Sequence, residues 1–125
     1  FYDLMPTFAE IAGVSDVPKT YGNKALETDY FDGISFVPTL TGSGVQKQHD
    51  FLYWEFDETD QIALRQGPWK LIVKKGVPEL YNLESDLHED NNLAAQYPQR
   101  VRSMVEILLR EHTPSAHFSV TLPSL

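Results

Sequence analysis

Four short β-prone runs between Phe51 and Asn82, joined by turns of a few residues, constrain this chain more than any other feature. Phe51-Leu52-Tyr53-Trp54-Glu55-Phe56 is dense in aromatic residues, which suit a pleated, half-buried surface. Asp57 to Asp60 is a polar turn, and Ile62-Ala63-Leu64-Arg65 is the second run. Gln66-Gly67-Pro68 turns tightly into Trp69-Lys70-Leu71-Ile72-Val73-Lys74, with Lys70 and Lys74 on the wet face. Lys75-Gly76-Val77-Pro78 turns again into Glu79 to Asn82. Short connections of this kind predict an antiparallel meander. Past it, Ser85, Asp86, Glu89, Asp90, Asn91 and Asn92 crowd together before Leu93. Asp and Asn side chains hydrogen-bond nearby backbone, so Glu79–Leu93 reads as a last strand, a capped turn and a helix entry.

Pro98 to Arg110 is predicted helical, with Pro98 in the first turn and Val101, Met104, Val105 and Leu108 in one stripe. That stripe packs on one face of the meander. Thr113-Pro114 ends the helix, and Phe118, Val120 and Leu122 alternate along an extended tail lying on a surface. Upstream, Asp3 to Ala12 is a first helix, with Asp3 as N-cap, Pro6 in the first turn and Gly13 as the stop. Leu4, Phe8, Ile11 and Ala12 share a face, and Met5 and Ala9 widen it. So apolar a helix at a chain start implies a neighbour on more than one side. Val14 to Phe31 is a long connector, Asp32-Gly33 a turn, and Pro38-Thr39-Leu40 one short helical turn before the punctuation of Thr41 to Gly44. The length of 125 residues suits one domain. The absence of an initiator Met implies a processed product or a piece of something longer.

The net charge of −8 and the scatter of ten basic residues argue against a nucleic-acid surface, which needs clustered Lys and Arg. With no cysteine there is no disulfide, thiolate metal site or cysteine nucleophile. No apolar run is long enough for a bilayer, and no signal peptide is visible. His49, His88, His112 and His117 lack the spacing of a helical zinc pair and read as structural or solvent-facing. Glu55, Asp57, Glu58 and Asp60 lack the Gly and terminal Glu of a calcium loop, so a solvated turn is expected. No serine lies in Gly-x-Ser-x-Gly, and no Gly-rich phosphate loop exists. His49, Tyr53, Glu55 and Arg65 remain, on or beside two neighbouring strands. Two readings stay open for them. Exposed members contact a sugar or an anion, Arg65 by a bidentate clamp. Otherwise Trp54 and Trp69 are core and Arg65 pairs with an acidic neighbour.

Several segments together resemble the type I, formylglycine-dependent sulfatases of the alkaline phosphatase superfamily. Glu79-Leu80-Tyr81-Asn82-Leu83, Asp86-Leu87, Glu89 and Asn92-Leu93 resemble the late Glu-Leu-Tyr-Asp-Leu, Asp-Pro, Glu, Asn-Leu signature. Asp3-Leu4-Met5-Pro6-Thr7 is similar to the Asp-Leu-x-Pro-Thr helix, and Asp32-Gly33-Ile34-Ser35-Phe36 to an Asp-Gly-x-Ser-hydrophobic segment. Tyr53-Trp54-Glu55-Phe56 and Arg65-Gln66-Gly67-Pro68-Trp69-Lys70 resemble its paired strands, and His112-Thr113-Pro114-Ser115 the end of many bacterial members. The matches run in the family's order over nearly the whole chain. Asn82 stands for the usual Asp and Leu87 for the usual Pro, both in the connector's turn.

The resemblance implies an α+β fold: a four-stranded antiparallel sheet with a C-terminal helix, preceded by a helix belonging to a missing catalytic domain. It implies residues 1–48 as boundary helix and linker and 49–125 as C-terminal subdomain. The parent hydrolyses sulfate esters, of a sulfated sugar or glycan, with a formylglycine nucleophile from Cys/Ser-x-Pro-x-Arg and a calcium ion held by Asp and Asn. Neither motif nor cysteine is present here, so both belong to the missing N-terminal domain, the chain's expected partner. The fragment is expected to be inactive alone, with no metal and no catalytic residue of its own. His49, Glu55 and Arg65 are the expected substrate-pocket rim. A periplasmic or extracellular parent is implied. A non-catalytic glycan-binding module using Tyr53, Trp54 and Trp69, or a related phosphoesterase or phosphonate hydrolase, are the alternatives.

Overall fold

The computed structural model describes residues 2–14 and 33–124. Length alone suited one domain; the chain divides into two compact units, Phe1–His49 and Asp50–Leu125. The expected 14–31 connector and Asp32 lie almost entirely outside the described residues.

The first unit holds two short helices, α1 (Leu4–Ile11) and α2 (Val37–Thr41). Gly13 ends α1 as expected. Its φ of +78° is open to glycine, and the bonds Gly13 N–H to Glu10 O (3.0 Å) and Val14 N–H to Ala9 O (2.8 Å) form a Schellman close. Asp3 takes the expected N-cap position, and its carbonyl accepts Thr7 N–H at 3.2 Å. Asp3 is already in the right-handed helical region and its side chain caps nothing in α1. Its Oδ1 instead accepts Ile34 N–H at 2.8 Å and faces His49 Nε2 at 2.9 Å. Thr7 is buried; its hydroxyl donates to Asp3 O at 2.6 Å and accepts Phe36 N–H at 3.1 Å. Gly33 is obligatory here, because a Cβ would stand 2.2 Å from Tyr2 O. The expected apolar face of α1 is open to solvent at Phe8 (62 % exposed) and Ile11 (64 %).

The second unit is the expected meander with its helix. Strands β1 (Leu52–Phe56), β2 (Gln61–Gln66), β3 (Trp69–Lys74) and β4 (Val77–Asn82) form one antiparallel sheet in the order β1-β2-β3-β4. β4 starts two residues earlier than expected. Lys75 (φ 50°) and Gly76 (φ 79°) make the whole turn, and β4 is an edge strand, where Pro78 costs no ladder bond. The strand period of two then sorts the side chains. Tyr53, Glu55, Ile62, Leu64, Trp69, Leu71, Val73 and Leu80 share one face. Helix α3 (Pro98–Glu111) covers it. Met104, Val105 and Leu108 are buried against Ile62, Leu64, Leu71, Val73 and Leu80. Burying each such side chain stabilises by about 1.5–3 kcal/mol.

The other face carries three cross-strand rows: Leu52, Arg65, Lys70, Tyr81; Trp54, Ala63, Ile72, Glu79; and Phe56, Gln61, Lys74, Val77. Of the two tryptophans only Trp69 packs on the core; its ring meets Tyr97 at 5.1 Å and Arg100 at 4.7 Å. Trp54 lies on the open face. The tail departs from simple alternation: Val120 packs on the core, Leu122 is exposed, and Pro123 is buried.

Candidate functional site

Glu55 is the last-but-one residue of β1, on the helix-covered face. His112 is the residue at which α3 stops, 57 positions away. The fold brings His112 Nδ1 to 2.7 Å from Glu55 Oε1, and Tyr53 hydroxyl donates to the same oxygen. Both members of the pair are only about one-eighth exposed, 12 % and 13 %. Burial, then the bond to Glu55, pushes the Tyr53 phenol well above its ordinary value. Tyr53 therefore stays a donor across the neutral range. Only tertiary folding joins His112 to Glu55; no sequence spacing marks the pair.

Arg65 stands on the opposite face of the sheet, so the structure does not bring it to Glu55. Its Nε donates to Gly67 O at 3.2 Å, and it pairs with no carboxylate among the described residues. Lys70 is directly across the ladder, paired with Glu89 at 2.5 Å. Trp54, Ala63, Arg65, Lys70 and Leu83 line a shallow pocket of about 260 Å³. His49 belongs to the first unit, where it faces Asp3 and meets the Tyr2 ring edge-on at 5.5 Å. The three expected rim residues thus occupy three separate settings.

The Glu79–Leu93 stretch is held by its own polar side chains. Lys74 and then Tyr81 hold Glu79 below the usual carboxylate range. Burial, followed by the bond to Glu79, pushes the Tyr81 phenol up to about 12. Asn82 Oδ1 accepts Glu84 N–H at 3.1 Å. Asp86 accepts Asn91 N–H (2.9 Å) and Asp90 N–H (3.1 Å), which hold its carboxyl below the usual range. Asn92 Oδ1 accepts Leu80 N–H (3.1 Å) and Ala94 N–H (2.9 Å), while Leu93 N–H donates to Leu80 O at 2.7 Å. Leu87 is 77 % exposed, so the departure from Pro there disturbs no packing.

Asp60 has a role the sequence did not suggest. Its carboxylate accepts both N–H (2.6 Å) and Oγ1–H (2.7 Å) of Thr121, and its carbonyl accepts Lys75 N–H at 2.9 Å. One residue ties two hairpin turns and the tail. Thr121 holds its carboxyl below the ordinary value, backbone bond first. Among the described residues no group of three or more His, Asp or Glu is placed to hold a metal ion. No described helix is long and apolar enough to cross a membrane.

A four-strand meander covered by one helix, with a polar loop clamped onto its last strand, defines a small α+β domain. Known proteins place it more narrowly. No protein-family model matches the chain. Arylsulfatase K of Danio rerio is 28 % identical over 117 residues, 85 % of this chain and 20 % of that protein. An uncharacterized sulfatase of Schizosaccharomyces pombe is 33 % identical over 115 residues, 86 % of this chain and 20 % of its own length. Among solved structures, a Bacteroides thetaiotaomicron VPI-5482 protein assigned as a sulfatase aligns at TM-score 0.62 and 26 % identity, over 86 % of this chain and 23 % of that one. A 2-O GAG sulfatase aligns at TM-score 0.59 and 22 % identity, over 97 % and 30 %, and shares the fold. The chain is homologous to sulfatases and corresponds to their C-terminal region. It spans about a fifth of the length of the curated relatives it matches.

Proposed function

We propose that this chain is the C-terminal part of an enzyme that hydrolyses sulfate esters of a sulfated sugar or glycan. In this reading it supports the fold and the pocket rim, and the catalytic centre lies elsewhere in the enzyme. The observation that carries the reading is 33 % identity to a sulfatase over 86 % of the chain. The GAG sulfatase among the fold neighbours supports a glycan as substrate class. Residues 1–48 then belong with the catalytic domain, which supplies the neighbour that the open Phe8–Ile11 face of α1 lacks. Residues 49–125 form the subdomain.

Formylglycine and calcium are the groups a sulfatase of this type uses. The residues of this chain fit neither: it has no cysteine, no Cys/Ser-x-Pro-x-Arg, and no acidic metal cluster among the described residues. No chemical step is assigned to its side chains. Glu55 and Arg65 occupy opposite faces of the sheet, so no single face presents both. In this reading Glu55, held by Tyr53 and His112, and His49, beside Asp3, are each rim candidates within their own unit; Arg65 has a different setting.

The test compares the 125-residue chain with the whole protein encoded by the reading frame that contains it. Aryl sulfate and aryl phosphate are offered to both. Sulfate release by the whole protein alone is expected. Release by the purified short chain, or preference of the whole protein for the phosphate, overturns the reading. Saturable binding of unsulfated oligosaccharide by the short chain points instead to a glycan-binding module.

A further inference from the structure

The open face of the sheet is finished for water on one half only. Toward β4, Lys74 pairs with Glu79 at 2.6 Å, Lys70 with Glu89 at 2.5 Å, and Tyr81 hydroxyl donates to Glu79 at 2.9 Å. These pairs cover Ile72, which is 8 % exposed. Toward β1 nothing comparable exists among the described residues. Trp54 is 44 % and Phe56 52 % exposed, Ala63 lies between Trp54 and Ile72 in its row, and Arg65 has no carboxylate partner among the described residues. β1 is also a sheet edge, with one row of backbone groups left unpaired by the sheet. Large exposed aromatics beside a shaped pocket and an unmatched guanidinium mark an interaction surface more than a solvated one.

We propose that the β1–β2 half of this face is the surface on which the rest of the sulfatase polypeptide docks. An apolar side chain of that partner fills the pocket between Trp54 and Leu83, and a carboxylate meets Arg65. The inference rests on the sulfatase reading, and two observations choose the occupant. The curated relatives run about five times the length of this chain, so most of such a protein lies outside it. The charge pattern is complementary to an acidic group: Arg65, with no carboxylate partner among the described residues, stands opposite an already neutralised Lys70, on a chain of net charge −8. A second copy fits less well, because an isologous contact sets the same cations against each other.

The experiment uses the 125-residue chain and the whole protein side by side. In hydroxyl-radical footprinting, Trp54 and Phe56 are expected to label readily in the short chain and about fivefold less in the whole protein, as burial at an interface core requires. Leu87, 77 % exposed on the connector, serves as the internal reference. Arg65→Glu is expected to leave the Tm of the short chain unchanged and to lower that of the whole protein by several degrees. Equal labelling of Trp54 in both, or an equal Tm effect in both, overturns the proposal. Protection in the short chain that grows with its own concentration overturns it in favour of self-association. Sulfate release is scored separately, so a whole protein with a protected Trp54 and no sulfatase activity sinks the enzyme reading and leaves the docking surface standing.

Discussion

Replacing Asn92 by Ala is expected to cost this small domain much of its stability, although Asn92 itself is exposed. Asn92 Oδ1 is the acceptor for Leu80 N–H at 3.1 Å and Ala94 N–H at 2.9 Å. Leu80 is fully buried on an edge strand, so its N–H has no water to turn to. An unsatisfied buried donor costs about 1–3 kcal/mol, while the exposed Ala94 N–H is rehydrated at under about 1 kcal/mol. The sum is about 1–4 kcal/mol. At roughly 4–8 °C per kcal/mol for a domain of this size, Tm falls by about 4–30 °C. The measurement is urea denaturation of the 125-residue chain followed by tryptophan fluorescence, with thermal melts alongside. Asn92→Asp keeps both acceptor bonds and is expected to lose less than about 1 kcal/mol, the residue of repulsion from Asp86, Glu89 and Asp90. If Ala costs under about 0.5 kcal/mol, or if Asp is as damaging as Ala, the connector is not held by this acceptor.

Gly76→Ala meets two obstacles, a φ of +79° and a Cβ that lands 3.0 Å from Thr121 Cγ2, and it is expected to lower stability by roughly 1–2 kcal/mol by the same urea titration. The Asp60 latch on Thr121 is acid-sensitive, and the sign follows from its lowered pKa. Its contribution is complete above the ordinary carboxylate value of about 3.9 and is lost as pH falls through the lower folded value. Limited acid proteolysis between about pH 6 and pH 2.5 is expected to cut the tail around 113–124 only at the acid end, and Asp60→Asn to expose it already at neutral pH. His112→Ala strands the Glu55 carboxylate with Tyr53 alone; about 1.5–3 kcal/mol is expected to be lost, and a double-mutant cycle with Glu55→Gln isolates the coupling.

The sheet was legible because its signals are local. Trp69–Lys74 coincides with the observed strand, and β2 gains one residue at each end. Where the reading failed, a distant group had intervened. Asp3 stands at the cap as read, but Ile34 N–H and His49 claim its carboxylate from 31 and 46 residues away. Glu55 and Arg65 sit on adjacent strands, and adjacency alone suggested a shared site. The register of the four-residue 57–60 turn sets Phe56 against Gln61 and therefore Glu55 against Ile62. Arg65 is three rungs further along, an odd number, and an odd displacement always lands on the other face. Sequence gives the period of each strand; the turn decides how two periods are phased.

The residues that made the chain recognisable turn out to be those that hold backbone in place. Asp3, Thr7 and Gly33 lock the start of α1 to the segment after residue 33 through two bonds and one close approach. Glu79, Tyr81, Asp86, Glu89 and Asn92 clamp the connector onto β4 and onto Lys70. Each contact depends on an oxygen or a missing Cβ at one spot, so substitution is punished even though no bond is made or broken there. The same logic explains why the two departures are tolerated. Asn82 still presents an oxygen to Glu84 N–H, and Leu87 stands in solvent. A family can therefore be read from a segment without any reacting atom, because what such a segment must preserve is the geometry of a support. That geometry also isolates Arg65 as the exception: among the described residues its side chain holds only the Gly67 carbonyl beside it.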